Sequence, residues 1–270
     1  MKKILFSFIL LLPLALLAQN KAKLTSKEKK AQRNEKIKRL IAQEEEGALI
    51  FYKQSAFGLK LNTDGFSMSL EKGKYKTLTT TNHWWVEIGE RKDPKQIRIT
   101  GAAIQIGYGA IVNTFSYGKM NNFFYLKGGV GKQKMIGSKA SKNGITVSAL
   151  YGAGISIGML KPYYLETYNE RNLLTDIKYS TSSDSVFLNP NYITGASGIF
   201  KGLNEITYVP GLNARAALRF DYGHYNDVLS AIQIGVNAEY YTQKMPIMLH
   251  GIDRQLFIQA YIAIEFGKRK

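Results

Sequence analysis

The sequence has no cysteine and only six prolines in 270 residues. It also lacks any run of about 18 consecutive apolar residues, so we expect no transmembrane helix. Without cysteine there is no disulfide scaffold, thiolate-bound metal, thiol nucleophile or cysteine-linked lipid anchor. Present instead are 25 glycines, 17 tyrosines and 13 phenylalanines, and 45% of the residues are hydrophobic. Scarce proline with abundant aromatic residues favours a folded protein rich in β-strands.

Acidic residues are also few: 20 against 37 basic residues, a formal charge of +17. Such an excess is common in nucleic-acid-binding proteins. However, Lys2 and Lys3 precede an apolar run over residues 4–17, and the small residue Ala18 follows. A charged start, a short apolar run and a small residue are typical of a signal peptide. We therefore expect residues 1–18 to be removed on export, and no nucleic-acid partner.

Residues 19–50 predict a helical segment in the periplasm. Thr25 and Glu28 have the spacing of a capping box, and Gly47 is a suitable C-cap. The predicted helix is polar on nearly every side, which indicates a solvated helix or one that docks lightly on a partner.

Three C-terminal segments alternate apolar and polar residues over ten or more positions: 212–222, 232–241 and 255–266. Alternation with period two predicts β-strands. Strands of soluble sandwiches usually have about five or six residues, whereas strands tilted across an outer membrane need about 9–11. The length and the aromatic strand ends favour transmembrane strands with lipid on the apolar side. A soluble lipid-carrying barrel fits the alternation alone and stays open.

Weaker alternation predicts five more strands between residues 57 and 157, with a tight hairpin turn at Asn62–Gly65. The fold class predicted is therefore all-β, an eight-stranded antiparallel transmembrane β-barrel over residues 51–270. The apolar segment 97–115 makes a ten-stranded barrel the runner-up. With both termini periplasmic, the long connections Arg91–Met120, Tyr168–Gly202 and Lys244–Arg254 lie outside the cell, as loop lengths in such barrels require.

The two ends of the sequence resemble small outer-membrane β-barrel proteins of Bacteroidota-type bacteria. The similarity rests on Leu16-Leu17-Ala18-Gln19 and on the alternating last strand ending Ile264-Glu265-Phe266-Gly267-Lys268. One departure is that Phe266 lies four residues before the end, whereas the usual assembly signal ends on the aromatic residue. The resemblance implies an outer-membrane location, and accessory subunits of larger outer-membrane machines occur in this family. It implies little about activity.

Charged residues occupy the face of the strands that the pattern turns inward. Eight strands enclose a lumen just wide enough for side chains, and an unpaired buried charge costs several kcal/mol. We therefore predict a paired charge network and no open pore. The predicted lumen residues are Lys60, Glu71, Glu87, Lys127, Arg215, Arg219, Asp221, Glu239 and Glu265.

Catalytic and cofactor motifs are weak. Of His83, His224 and His250, only His250 lies on the predicted outer side, beside Asp253. No histidine pair has metal-ligand spacing, and residues 128–132, though rich in glycine, lack the spacing of a phosphate loop. We expect no enzyme, catalytic residue, metal or cofactor. A lipid A-modifying enzyme and a small-solute channel are the alternatives.

Two surfaces remain for partners. Tyr168, Tyr179 and Tyr192 mark the longest outer loop as a candidate partner loop, because tyrosine-rich loops adapt well to proteins. Trp84 and Trp85 place one ring in lipid and one inward near a rim. The expected partners are outer-membrane lipids and another outer-membrane or periplasmic protein, and the expected role is a structural or accessory subunit. The basic periplasmic face is predicted to contain Lys132, Lys134, Lys139 and Lys142.

Overall fold

The computed structural model divides the chain into two units, residues 1–50 and 51–270. In the first unit, residues 30–32 and 34–35 are helical and exposed. The predicted signal peptide and the rest of the predicted helix lie outside the described residues. Within the described part, no helix is long and apolar enough to cross a membrane. The described residues are 30–32, 34–35, 52–106, 109–138, 144–168, 173–180, 187–198, 200–222 and 228–270.

Eight antiparallel strands of the second unit close into a barrel, which confirms the predicted strand number. Each strand pairs with its neighbours along the chain, and the last pairs with the first. The barrel strands are β1 (Lys53–Asn62), β2 (Gly65–Tyr75), β3 (Thr80–Arg91), β8 (Asn121–Gly137), β9 (Thr146–Pro162), β13 (Thr207–Asp221), β14 (Val228–Met245) and β15 (Arg254–Arg269).

The ten-stranded alternative is wrong. Segment 97–115 leaves the barrel and forms four strands of three residues each, which pair only among themselves within the described region. Three residues extend about 10 Å, far short of the roughly 30 Å of a bilayer core. These short strands are β4 (Arg98–Thr100), β5 (Ile104–Ile106), β6 (Gly109–Ile111) and β7 (Thr114–Ser116).

The connections between barrel strands alternate between the two ends of the barrel. We call the end with residues 63–64, 92–120, 163–206 and 246–253 the loop end, because it has the two long connections 92–120 and 163–206. The other, which we call the turn end, has the connections 76–79, 138–145 and 222–227, none longer than eight residues. The chain enters β1 and leaves β15 at the turn end, where the Lys53 and Lys270 backbones exchange hydrogen bonds of 2.7 and 2.8 Å.

The barrel wall is apolar outside and polar inside. Along β1 exposure alternates at every residue: Leu61 is 70% exposed and Lys60 only 2%. A barrel in water would bury its leucines, so this inverted pattern belongs to a transmembrane barrel of the outer-membrane type. It contradicts the soluble alternative.

Glycines of β8 and β9 make room for one large ring in the lumen. The Trp85 side chain is fully buried and lies against Gly129 and Gly152, where an added Cβ would come within 2.5 and 2.7 Å of the indole. The Arg215 guanidinium covers the indole ring at 3.8 Å. The sequence places Trp85 near a rim, and that expectation is wrong because β3 begins at Thr80, so that Trp85 lies in the middle of the strand. Trp84 faces outward, as expected.

Two neighbouring glycines test this packing. Gly129→Ala should destabilise the barrel by roughly 1–3 kcal/mol, because the new methyl group overlaps the Trp85 ring and the Ala153 carbonyl. Gly128→Ala is the matched control, since its Cβ would meet no atom closer than 3.7 Å. Urea unfolding of the protein in lipid vesicles measures both. Equal unfolding midpoints for the two variants would contradict the packing argument.

Candidate functional site

A chain of ion pairs crosses the lumen on its loop-end side. Glu87 of β3 accepts from Lys60 at 2.8 Å and from Lys127 at 2.9 Å. Lys127 also lies 2.9 Å from Glu239 of β14. The Tyr241 hydroxyl donates to Glu239 at 2.7 Å. Strands from different parts of the barrel are thus joined through side chains as well as through the backbone.

Arg91, at the end of β3, extends this chain toward the loop end. Its guanidinium lies 3.1 Å from Glu239 and 2.6 Å from Asp64, which sits in the β1–β2 turn. The same group stacks 4.4 Å from the centre of the Phe257 ring. Burial raises the pKa of Asp64, while the nearby Arg91 opposes that rise.

A second cluster lies toward the turn end. Glu71 of β2 lies 2.6 Å from Arg215 and also pairs with Arg219, both of β13. Arg219 reaches Glu265 of β15 at 2.6 Å, so the cluster spans the lumen. Gln133 accepts from Arg219 at 3.0 Å. Cations and anions balance within this cluster.

The structure places all nine predicted lumen residues on the inner face, buried, and each forms an ion pair within the barrel. The pair between Asp221 and Arg269 lies at the turn end. Sequence reasoning missed Asp64, Arg91 and Arg269. The alternation of the strands could have identified two of them, because Arg91 is on the same inward face of β3 as Glu87, and Arg269 is on the same inward face of β15 as Glu265. Among the described residues, six cations and six anions take part: Lys60, Arg91, Lys127, Arg215, Arg219 and Arg269 with Asp64, Glu71, Glu87, Asp221, Glu239 and Glu265.

The segment between β14 and β15 covers the loop end of the lumen. Its Ile247 carbonyl accepts from the Met120 backbone at 2.9 Å, and Leu249 N–H donates to Gly118 at 2.8 Å. Lys119 forms an antiparallel β-bridge with Met248 of this segment. Burial lowers the pKa of the Lys119 side chain to about 8. The cover and the lumen side chains below it form one apolar cluster: Phe123, Tyr125, Leu160, Val209, Tyr241, Met245, Ile247 and Met248, with Phe257 against it.

The two long loops fold together into an extension with its own core. Its sheet contains β10 (Tyr164–Tyr168), β11 (Leu174–Lys178) and β12 (Ile193–Ala196), in the order β11–β10–β12. Lys201 beside Asp176, 2.6 Å away, holds the pKa of that carboxyl below its usual range. The core residues are Phe115, Leu165, Phe187 and Ile193.

The three predicted partner-loop tyrosines differ in environment. Tyr168 and Tyr192 are exposed, but Tyr179 packs edge-on against Phe187 with ring centres 5.5 Å apart. Tyr179 therefore belongs to the core of the extension and is not free to meet a partner. The period-two pattern gives no sign of this, because the contact joins two irregular parts of the loop.

The remaining predicted residues are dispersed. Lys132 and Lys134 are exposed on the outside of β8 at the turn end, while Lys139 and Lys142 lie outside the described residues. His83 is buried in the lumen and His250 is exposed at the loop end, so these two do not form one site. Among described residues, no group of three His, Asp or Glu side chains is arranged to hold a metal.

Removing one anion from the lumen should expose the cost of an unpaired buried cation. Glu87→Gln leaves Lys60 with no carboxylate and Lys127 with only Glu239, so we expect a loss of roughly 3–5 kcal/mol of unfolding free energy. Glu90→Gln, on the same strand but on its outward side, is the control and should change stability by less than about 0.5 kcal/mol. Urea titration in vesicles measures both, and a wild-type midpoint for Glu87→Gln would refute the network's role.

Several solved structures show a likeness to the chain, among them the following three. The N-terminal β-barrel domain of Pseudomonas aeruginosa OprF is 9% identical, over 80% of this chain and 96% of that one, with a TM-score of 0.33. Neisserial surface protein A (NspA) is 11% identical, over 81% of this chain and 95% of that one, with a TM-score of 0.33. The outer membrane enzyme PagL is 9% identical, over 80% of this chain and 98% of that one, with a TM-score of 0.30. No family model and no curated protein matches. Values this low carry no argument about function, and the fold rests on the strand order and register described above.

Proposed function

We propose that the protein is an accessory subunit of an outer-membrane complex, a barrel without an open pore that binds a partner protein through its loop extension. Both termini face the periplasm in this proposal, and the loop end faces outward, as the long connections favour. The similarity of the chain ends to Bacteroidota-type barrels fits such a role. The observation that carries the proposal is a folded, apolar-tipped extension on a filled barrel.

The filled lumen argues against transport. The two ion-pair clusters and the apolar cluster at the loop end occupy successive levels between the barrel ends. A solute would have to separate buried ion pairs, which costs several kcal/mol for each charge left unpaired. The protein therefore acts through its outer surfaces.

The tip of the extension has the character of a contact surface. Tyr168 lies opposite Leu174 in the β10–β11 ladder, and Tyr192 directly precedes β12 beside them. These side chains are 38%, 51% and 57% exposed. They lie at the end of the small sheet farthest from β9 along the chain. Clustered apolar side chains on a loop in water mark a site of protein contact.

Removing the apolar tip should release the partner. We expect the triple variant Tyr168→Ser, Leu174→Ser, Tyr192→Ser to lose at least about tenfold of the chain that co-purifies with the wild type in mild detergent, because exposed aromatic residues dominate contact energies. Quantitative mass spectrometry of affinity-purified protein measures the loss. Ile97→Ser, an exposed apolar residue of the other long loop, is the control. A wild type recovered only as a monomer would overturn the proposal.

The closed lumen has an electrical test of its own. Purified protein in planar bilayers should give no steady single-channel conductance at moderate voltage, since the paired charges and the apolar cluster leave no continuous aqueous path. Stable, reproducible conductance steps from folded protein would contradict the closed lumen and favour a small-solute channel.

A further inference from the structure

Lysines gather on one side of the outer wall at the turn end. All of them are exposed and point away from the lumen on adjoining strands of the closed sheet. We call them the basic patch: Lys53, Lys72, Lys74, Lys132, Lys134, Lys268 and Lys270.

The strand register brings these charges side by side. Lys53 lies directly opposite Lys74 on β2, and its backbone bonds to Lys270 on the other side. Ser55 lies between Lys72 and Lys268. Residues directly opposite on neighbouring strands have Cβ atoms about 5 Å apart, and like charges at that spacing repel. An anion bound in front of these lysines would relieve the repulsion between them.

The strands of the patch do not supply that anion. On the outward face of β1, β2, β3, β8 and β15, the acidic residue is Glu90, at the opposite end of the barrel. The other three strands of the wall have no such charges at this end. At the turn end of β9, β13 and β14 the outward residues are uncharged: Val147, Ala149, Leu218, Phe220, Val228 and Ser230.

One step toward the middle of the barrel, the same strands become apolar. Lys72 is followed on its face by Leu70, and Lys268 by Phe266. Trp84 joins the two zones, since the Lys72 ammonium lies 5.6 Å from the centre of its ring. A lipid with a phosphate headgroup and apolar acyl chains matches a basic zone that adjoins an apolar one. An acidic protein segment matches only the lysines, because the adjoining wall is the kind that faces lipid.

We propose that the basic patch is a binding site for an anionic glycerophospholipid, with its phosphate between the lysines and its acyl chains along Trp84, Leu70 and Phe266. The site selects such lipids on one side of the barrel only. The proposal needs the turn end to lie at a membrane interface, but it requires neither a partner protein nor a given orientation.

Trp84 provides a reporter for this site. Of the two tryptophans, Trp84 faces outward and Trp85 is enclosed in the lumen. The protein is reconstituted in vesicles that contain phosphatidylglycerol or phosphatidylcholine brominated on its acyl chains. Bromine quenches a nearby exposed indole, so the two quenching curves give the relative binding constant of the anionic lipid at Trp84.

We expect about fivefold or greater preference for phosphatidylglycerol at low salt, which is the effect of one lysine or more near an anionic surface. The triple variant Lys53→Gln, Lys72→Gln, Lys74→Gln removes three of the seven patch lysines, including Lys72 beside Trp84, and should lower the preference severalfold. The control Lys92→Gln, Lys95→Gln, Lys244→Gln removes the same charge at the loop end and should keep it. Heat-dependent gel migration verifies that each variant is folded.

Two results would overturn the site. One is equal quenching of the wild type by both brominated lipids, and the other is an unchanged preference in the folded patch variant. If the wild type shows no lipid preference but binds soluble polyglutamate in a patch-dependent way, the patch is a docking site for an acidic protein and the lipid assignment is wrong. Loss of the co-purifying partner leaves the quenching assay unaffected, so the two proposals fail independently.

Discussion

Pairing of opposite charges inside a narrow lumen is the interaction on which this structure depends. Alternation along a strand directs every second side chain inward, and the apolar side chains face outward toward lipid. The polar set must then share a space that eight strands leave barely wide enough for side chains. Arg219 between Glu71 and Glu265, and Lys127 between Glu87 and Glu239, show how the space is filled without a stranded charge.

The packing of the lumen continues into the loop end. The segment 246–253 contributes Ile247 and Met248 to an apolar cluster whose other members, such as Phe123 and Tyr241, line the loop end of the lumen. Beyond it, the long loops form a sheet with a separate core around Phe187. Tyr168 and Tyr192 are exposed on this extension.

Much of the fold followed from periodicity because lipid and lumen impose a strict alternation on each strand. The inward phase of Lys60, Glu87 and Arg215 could be read in this way. The predictions that were wrong concern contacts between strands and loops, which periodicity along one strand does not describe. Trp85 lies in the middle of β3, where glycines on two other strands make room for its ring, which only the β3–β8–β9 register reveals. Phe115 of segment 97–115 belongs to the core of the loop extension, with Ile99 packed against it, and periodicity does not distinguish such a residue from one of the barrel wall.

The ends of the ion pairs are far apart along the chain: Arg91 bonds to Glu239 across 148 positions, and Glu71 to Arg219 across the same separation. An open sheet in a bilayer would separate Glu71 from both of its arginines and Glu239 from Arg91 and Lys127. Partial insertion is therefore strongly unfavourable, and the barrel gains its stability at the step that closes it. The chain must reach the membrane with all eight strands ready to join, so assembly is close to all-or-none.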